Sequence, residues 1–523
     1  MIKGIPEILF KLHEKAGIKV YPLTTYLCVY ITPIVCLSLL KCSPFPGYGP
    51  MFIALSVAIP SAYMGYLGMK ILLRKRRIEE ELPFVALIIV NSRDPVKALY
   101  SLRESSLKGM REEVRRWERW RALKGLDPLS AALYEASKGI SQRYERFIRR
   151  LKELTETSGN TRELLELAFS ELKEKAIQFD TIFDDAFSLL QTLMFLVPSL
   201  AIPLSIFTTG GQELILLGMA IPLISTVMLS CLGWLFRLGI SNLGEERKAL
   251  YLLSLALPLS LIMNRAGLTP YVSIGLSLLI ASVPPSILAY RHITDVRGAI
   301  EGFLDFIAEA VEYALMTGSD IPSATSHLAK RRSKGIRGTF KRIMRHVAGR
   351  SLLERYEGDL KARFLRYSLE ALRLASEHSR DPQMMSFFVR ELKELYALQR
   401  EINRKGKGLM LMSFLMNAIF ASIMVISIEL GLKPITSMLG STQMQVAQGL
   451  TLIESPDLDM IRALTYSSTL IISLVFSMTS GILKDGSLTA GLVYMPFFIA
   501  TTAGIILLGD SGFMEVWMWR KSI

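Results

Sequence analysis

Nine stretches of this chain are apolar for long enough to approach the thickness of a bilayer, and two long charged stretches interrupt them. A spanning helix needs about twenty mainly apolar residues, because each adds about 1.5 Å across a hydrocarbon core of about 30 Å. The candidates are 21–41, 51–73, 185–207, 213–236, 249–263, 269–290, 409–430, 462–483 and 487–508. The fifth is short. Residues 249–290 therefore read either as two helices joined at Asn264-Arg-Ala-Gly-Leu-Thr-Pro270 or as one interrupted helix with a re-entrant part.

Composition agrees with this alternation: half of the 523 residues are hydrophobic, too many for an ordinary soluble protein, yet the charge is too high for a chain lying wholly in lipid. The net charge of +14 is what cytoplasmic loops of a membrane protein accumulate. Both polar stretches, 74–184 and 291–408, are rich in Lys and Arg and are expected inside. That requires an even number of spans between them, which four satisfy and three do not. The short segments 42–50 and 208–212 carry no charge and 433–459 is acidic on balance, so these are expected outside. The N-terminus is then inside, the C-terminus outside, and Trp517 and Trp519 suit an interfacial anchor of a multi-pass protein of the cytoplasmic membrane. Arg74-Lys-Arg-Arg77 and Arg291, at inner ends of spans, read as anchors to anionic lipid. No removable signal peptide is evident, since Lys3, Lys11, Lys15 and Lys19 spread charge through the first twenty residues. Cys28, Cys36, Cys42 and Cys231 have no metal-ligand spacing and read as small apolar residues.

Charge within the spans is scarce: Lys70 lies near an inner end and Glu429 near an outer one. An ion-coupled transporter usually needs a charge in mid-membrane. Ala54, Ala58 and Ala62 recur every four residues, with Gly65 beyond, and form a face that admits a closely packed helix. That face fits packing inside the bundle, a homodimer seam, or a groove for a guest helix.

The polar stretches show helical spacing. Asp127-Pro128 starts a helix bearing Leu129, Ala132, Leu133 and Ala136, while Phe303, Phe306, Ile307, Ala310 and Ala314 share a face ending at Gly318, with a restart at Ile321-Pro322. Each bundle is expected to close its own core. An element recurs between them. After Ser158, Gly159 and Asn160, residues Leu164, Leu165, Ala168 and Leu172 run into Glu171-Leu-Lys-Glu174. After Ser379, Asp381 and Pro382, residues Met384, Met385, Phe388 and Leu392 run into Glu391-Leu-Lys-Glu394. Asn160 is an N-cap with Glu163 three residues on, a capping-box spacing. Glu81-Leu-Pro-Phe84 with Asp94-Pro95 loosely parallels Leu304-Asp-Phe306 with Asp320-Ile-Pro322, so an internal duplication is expected.

The expected fold is thus all-α: a polytopic membrane protein of about nine transmembrane helices with two cytoplasmic helical bundles. Its parts are 1–73 (the N-terminus and two spans), 74–184 (first helical domain), 185–290 (four spans), 291–408 (second helical domain) and 409–523 (three spans with an external loop 431–461).

Catalytic and cofactor signatures are missing: there is no phosphate loop, no His-Glu-x-x-His and no Gly-x-Ser-x-Gly, and the five histidines are scattered. The reading is not an enzyme, with no cofactor and no metal. Basic helices remain. Arg111, Arg115, Arg116, Arg119, Arg121 and Lys124 accompany Trp117 and Trp120; Lys330, Arg331, Arg332, Lys334, Arg337, Lys341, Arg342 and Arg345 form a second run. Either run fits a solvated or lipid-facing surface, or electrostatic docking of an acidic partner. Nucleic acid is the weaker alternative, resting on the Trp pair as a stacking platform.

The two basic helical bundles, each followed by a return to the membrane, and the Glu156-x-Ser158-Gly159-Asn160 element resemble the type II secretion system F family. The likeness is to the archaeal membrane platforms of type IV filament machines, including the archaellum-assembly protein J group, over roughly residues 80–430. The second repeat departs from the family pattern, having Ser379-Arg-Asp381 where a glycine is expected. The resemblance implies a non-enzymatic platform whose cytoplasmic bundles bind a secretion ATPase and which moves pilin or archaellin subunits from the bilayer into a filament. The basic runs are the expected docking residues, the paired breaks fix bundle geometry, and the small-residue face meets the pilin. A repeat-built permease, or a membrane scaffold whose basic loops bind nucleic acid, are the alternatives.

Overall fold

The computed structural model describes residues 12–16, 49–157, 159–174, 220–231, 246–332, 338–350, 362–378, 382–433 and 458–511, with scattered positions at 177–188 and 352–360. Among them all regular structure is helical and there is no strand. Among the described residues three helices are long and apolar enough to cross a membrane, Pro270–Thr317, Gln383–Gly431 and Asp459–Asp485; Ala220–Cys231 and Met495–Asp510 are shorter and apolar. The expected spans 21–41 and 185–207, Cys28, Cys36 and Cys42, most of the loop 431–461, and Trp517 and Trp519 lie outside the described residues.

In chain order the helices are α1 (Gly49–Val90), α2 (Pro95–Ser101), α3 (Lys108–Lys124), α4 (Pro128–Ala136), α5 (Gln142–Glu156), α6 (162–174), α7 (Ala220–Cys231), α8 (Arg247–Leu252) and α9 (Ala256–Arg265). There follow α10 (Pro270–Thr317), α11 (Ile321–Arg332), α12 (Gly338–Arg350), α13 (Arg363–His378), α14 (Pro382–Ile426), α15 (Leu458–Asp485), α16 (Leu488–Gly491) and α17 (Met495–Asp510). Their punctuation is local chemistry. Asp94 accepts the amides of Val96 and Lys97 ahead of Pro95, Asp127 accepts that of Ser130 ahead of Pro128, and Ser141 accepts that of Tyr144. Gly125 and Gly318 close α3 and α10 in the left-handed conformation. Residues 249–290 resolve into a helix pair: α8 and α9, linked by a single 3-10 turn, run to Arg265, and α10 starts at Pro270 after Gly267 at φ 90°. Leu257, Leu261 and Ile262 on α9 are exposed, as suits a helix at a lipid boundary.

Three helices continue without a break through the expected membrane boundaries at 73, 290 and 408. These are α1, α10 and α14. The 48 residues of α10 span about 72 Å, more than twice a hydrocarbon core. One end of α10 packs with α14, α15 and α17 in an apolar cluster containing Phe420, Tyr466, Phe476 and Phe498. The other end enters a second core, built from the charged stretches.

That core departs from expectation. The two charged stretches share one hydrophobic cluster, running from Ile78 to Leu172 and on from Ile293 to Ile402. Every residue from Ile78 to Asn91 is buried, because Phe84-Val-Ala-Leu-Ile-Ile-Val90 is apolar on all faces and must be surrounded. Helix α13 from the second stretch supplies one wall. Phe84 meets Phe364 and Tyr367 edge-on at 6.0 and 5.4 Å, Arg363 donates to Glu80 at 2.7 Å, and the Ser106 amide donates to Glu370 at 3.0 Å.

Candidate partner-docking surface

The site starts from α3, whose first residue Lys108 follows Leu107, a residue unable to cap a helix by its side chain. The cap comes from another helix: Glu81 of α1, fully buried, accepts the amides of Gly109 at 3.1 Å and Met110 at 2.7 Å. Burial pushes this carboxyl up to about 7, against the lowering effect of the two amides. A Cβ at Gly109 would lie 3.0 Å from the Glu81 carboxylate and 3.1–3.2 Å from Arg77, so a larger residue there would push these neighbours by a few tenths of an ångström. The second basic helix, α12, is held alike. Asp295 of α10 accepts the Thr339 amide at 3.1 and 3.2 Å and its hydroxyl at 2.7 Å, and a Cβ at Gly338 would overlap that carboxylate at 1.6 Å.

On α3 the structure sorts the predicted residues by face. Arg115, Arg119, Arg121 and Lys124 are exposed, with Leu123 exposed beside them; Arg111 and Arg116 are half-buried. Arg116 lies 3.5 Å from Glu113, and burial, then Arg74, lowers its pKa below the ordinary arginine value. Trp117 is fully buried edge-on to Tyr100, and Trp120 donates to Glu135 at 2.9 Å with Lys124 and Lys138 over its ring. This removes the basis for base stacking on the Trp pair. In the second run Lys330, Arg331, Arg332, Arg342 and Arg345 are exposed and Lys341 is half-buried, while Lys334 and Arg337 lie outside the described residues. Arg332 pairs with Glu309, and Arg342 donates to Thr339 at 2.9 Å. Helices α11 and α12 pack against each other.

Arg74 is not the lipid anchor that its position at the end of a span suggests. It is buried and forks Glu113 with two bonds of 2.7 Å, reaches Glu135 at 3.0 Å, and donates to the carbonyls of Lys15 and Glu14 at 2.9 and 3.3 Å. Burial opposes the Arg74 charge, but Glu113 and Glu135 outweigh it and raise the pKa. Arg76 is likewise buried, 2.5 Å from Glu80, whereas Lys75 and Arg77 are exposed.

At the repeated element, the Gly159 amide donates to Leu154 O at 2.9 Å, and a Cβ at Gly159 would lie 2.6 Å from the Leu154 side chain. Asn160 accepts the Arg162 amide at 3.1 Å, but Glu163 turns to Arg150 and leaves the capping box incomplete. Ser158, Ser379 and Asp381 lie outside the described residues, and Pro382 begins α14. Glu171 and Glu391, the matching acids of the two elements, are both buried. Gly65 is exposed with open space where a side chain would stand; the side chains of Ala54, Ala58 and Ala62 lie outside the described residues.

Sequence reasoning missed two features. At the end of the apolar bundle away from the core of the charged stretches, buried Glu429 accepts from Arg462 at 3.0 Å and Tyr466 at 2.9 Å. Arg462 also lies 3.6 Å from Asp510, which accepts from Tyr271 at 2.7 Å, so four helix ends are tied. The second is a stripe of small residues on α15, Thr465, Thr469, Ser473, Ser477 and Gly481. Its i, i+4 spacing was readable, and it lets Gly481 approach α16 so closely that a Cβ would lie 2.0 Å from the Gly491 amide. Among the described residues no cluster of His, Cys, Asp or Glu is arranged for a metal ion. No protein family, curated protein or solved structure matches this chain.

Proposed function

We propose that this chain is the integral membrane platform of a type IV filament assembly machine, coupling a cytoplasmic secretion ATPase to insertion of pilin subunits. The observation that carries the reading is mechanical continuity: α10 and α14 run unbroken from the membrane cluster into a single cytoplasmic core. Force applied to that core reaches the bilayer helices without crossing a flexible linker. Two separate bundles can rock independently; a shared core instead acts as one lever. The exposed cations of α3, α11 and α12 are the ATPase contacts, and the small-residue face ending at Gly65 receives a pilin helix or a second copy of the chain. Buried Glu429, half-buried Arg462 and exposed Asp510 pair across helix ends, which favours a structural tie over a permeation path. The proposed setting is the cytoplasmic membrane, with the N-terminus inside and the C-terminus outside. The repeated buried Glu171 and Glu391 and the two carboxylate-held basic helices support a duplicated unit.

The test is co-purification of the full chain with the secretion ATPase encoded beside it. Charge reversal at Arg115, Arg119, Arg331 and Arg345 is expected to abolish an association that also weakens with salt. Reversal at Arg149, on α5, serves as the control. An ATPase that binds the fourfold variant as tightly as the parent, or fails to bind the folded parent at low salt, overturns the docking assignment.

A further inference from the structure

Where α10 and α14 leave the membrane side by side, a cleft of about 340 Å³ opens between them. Arg297, Arg400, Arg404 and Lys407 line it, against one lining carboxylate, Glu301. Arg400 is engaged by Glu301 and Arg297 by Asp485, whereas among the described residues Arg404 and Lys407 face no carboxylate at ion-pair distance. Such a cluster repels itself, so an anion in the cleft relieves it.

Depth identifies the source of the anion. Lys407 stands two residues and Arg404 five before the apolar part of α14, about 3 and 8 Å from the hydrocarbon edge. Headgroups occupy that layer, since they add roughly 5–8 Å to each side of the hydrocarbon. We propose that this cleft binds the phosphate of an anionic lipid headgroup from the inner leaflet, with Arg404 and Lys407 on the phosphate. A lipid wedged there braces the two helices at the point where they pass from membrane to lever. This assignment does not depend on the identity of the filament or the ATPase.

The experiment is native mass spectrometry of the full chain in neutral detergent, titrated separately with phosphatidylglycerol, phosphatidylcholine and inorganic phosphate. Saturable binding of one phosphatidylglycerol is expected, weakened about fivefold for each charge removed in R404A and K407A. Phosphatidylcholine is expected to bind far more weakly. Arg404 and Lys407 are exposed, so these two variants are expected to fold, which the elution profile checks. Equal binding of both lipids, or phosphatidylglycerol binding unchanged in the R404A/K407A double variant, overturns the proposal. Inorganic phosphate binding as tightly as the lipid assigns the cleft to a soluble phosphate and overturns the lipid source.

Discussion

Replacing Arg74 with Met distinguishes a core ion cluster from a lipid anchor. In the structure its guanidinium satisfies both oxygens of Glu113 at 2.7 Å, one of Glu135 at 3.0 Å and two main-chain carbonyls, with the arginine side chain only 6% exposed and Glu113 not exposed at all. Glu135 keeps Lys138 and Trp120 after the substitution, but Glu113 keeps only Arg116 at 3.5 Å. Removing one partner of a buried pair costs about 3–5 kcal/mol, because the remaining charge has neither water nor a counter-ion. A lipid-facing arginine would contribute only about 1 kcal/mol. For a unit of roughly 150–250 residues the buried-pair cost lowers the melting midpoint by about 6–20 °C. The assay is thermal unfolding of the detergent-solubilised full chain followed by tryptophan fluorescence, to which Trp120 contributes from its bond to Glu135. Adding Glu113→Leu to the variant is expected to recover most of the loss, since the stranded charge is gone. A midpoint for R74M within about 3 °C of the parent, equivalent to roughly 1 kcal/mol, refutes the buried cluster and restores the anchor reading.

Two further outcomes follow from the same packing. Glu81 is raised from 4.5 to about 7 by burial, so the folded state holds its proton more tightly than the unfolded state. That contribution is fully present below pH 4.5 and is lost as pH rises through about 7, and a shift of this size corresponds to roughly 3 kcal/mol. Glu81→Gln is expected to flatten the stability profile across this window, and an unchanged slope in urea titrations at several pH values would contradict it. Gly481→Ala places a Cβ 2.0 Å from the Gly491 amide, forcing α15 and α16 apart at about 1–3 kcal/mol or more. Gly504→Ala, with nothing within 4 Å, is expected to be neutral; equal melting of the two variants would rule out the close crossing.

Helix punctuation was legible because caps act over four residues: Asp94-Pro95, Asp127-Pro128 and Gly318 each carry their own donor, acceptor or backbone freedom. The apolar faces Leu129/Ala132/Ala136 and Phe303/Phe306/Ile307/Ala310 were legible for the same reason, since helical periodicity states which side is buried. Half of the candidate docking surface was readable too. Charge marked α3, but burial of Trp117 and the partial burial of Arg111 and Arg116 depend on which way that helix is turned. Its orientation is set by Glu81, which is 28 residues from Gly109 in sequence and touches it in space.

The sequence by itself determined that this chain is helical and rich in membrane-length apolar segments, because hydropathy and capping are properties of consecutive residues. It did not determine what those helices lean on. Whether Arg74 meets lipid or Glu113 and whether the two charged stretches close two cores or one are settled by partners tens to hundreds of residues away. A charge at a helix end is compatible with water, headgroup or counter-ion alike; only the tertiary structure selects one, since desolvation is decided by everything packed around the residue.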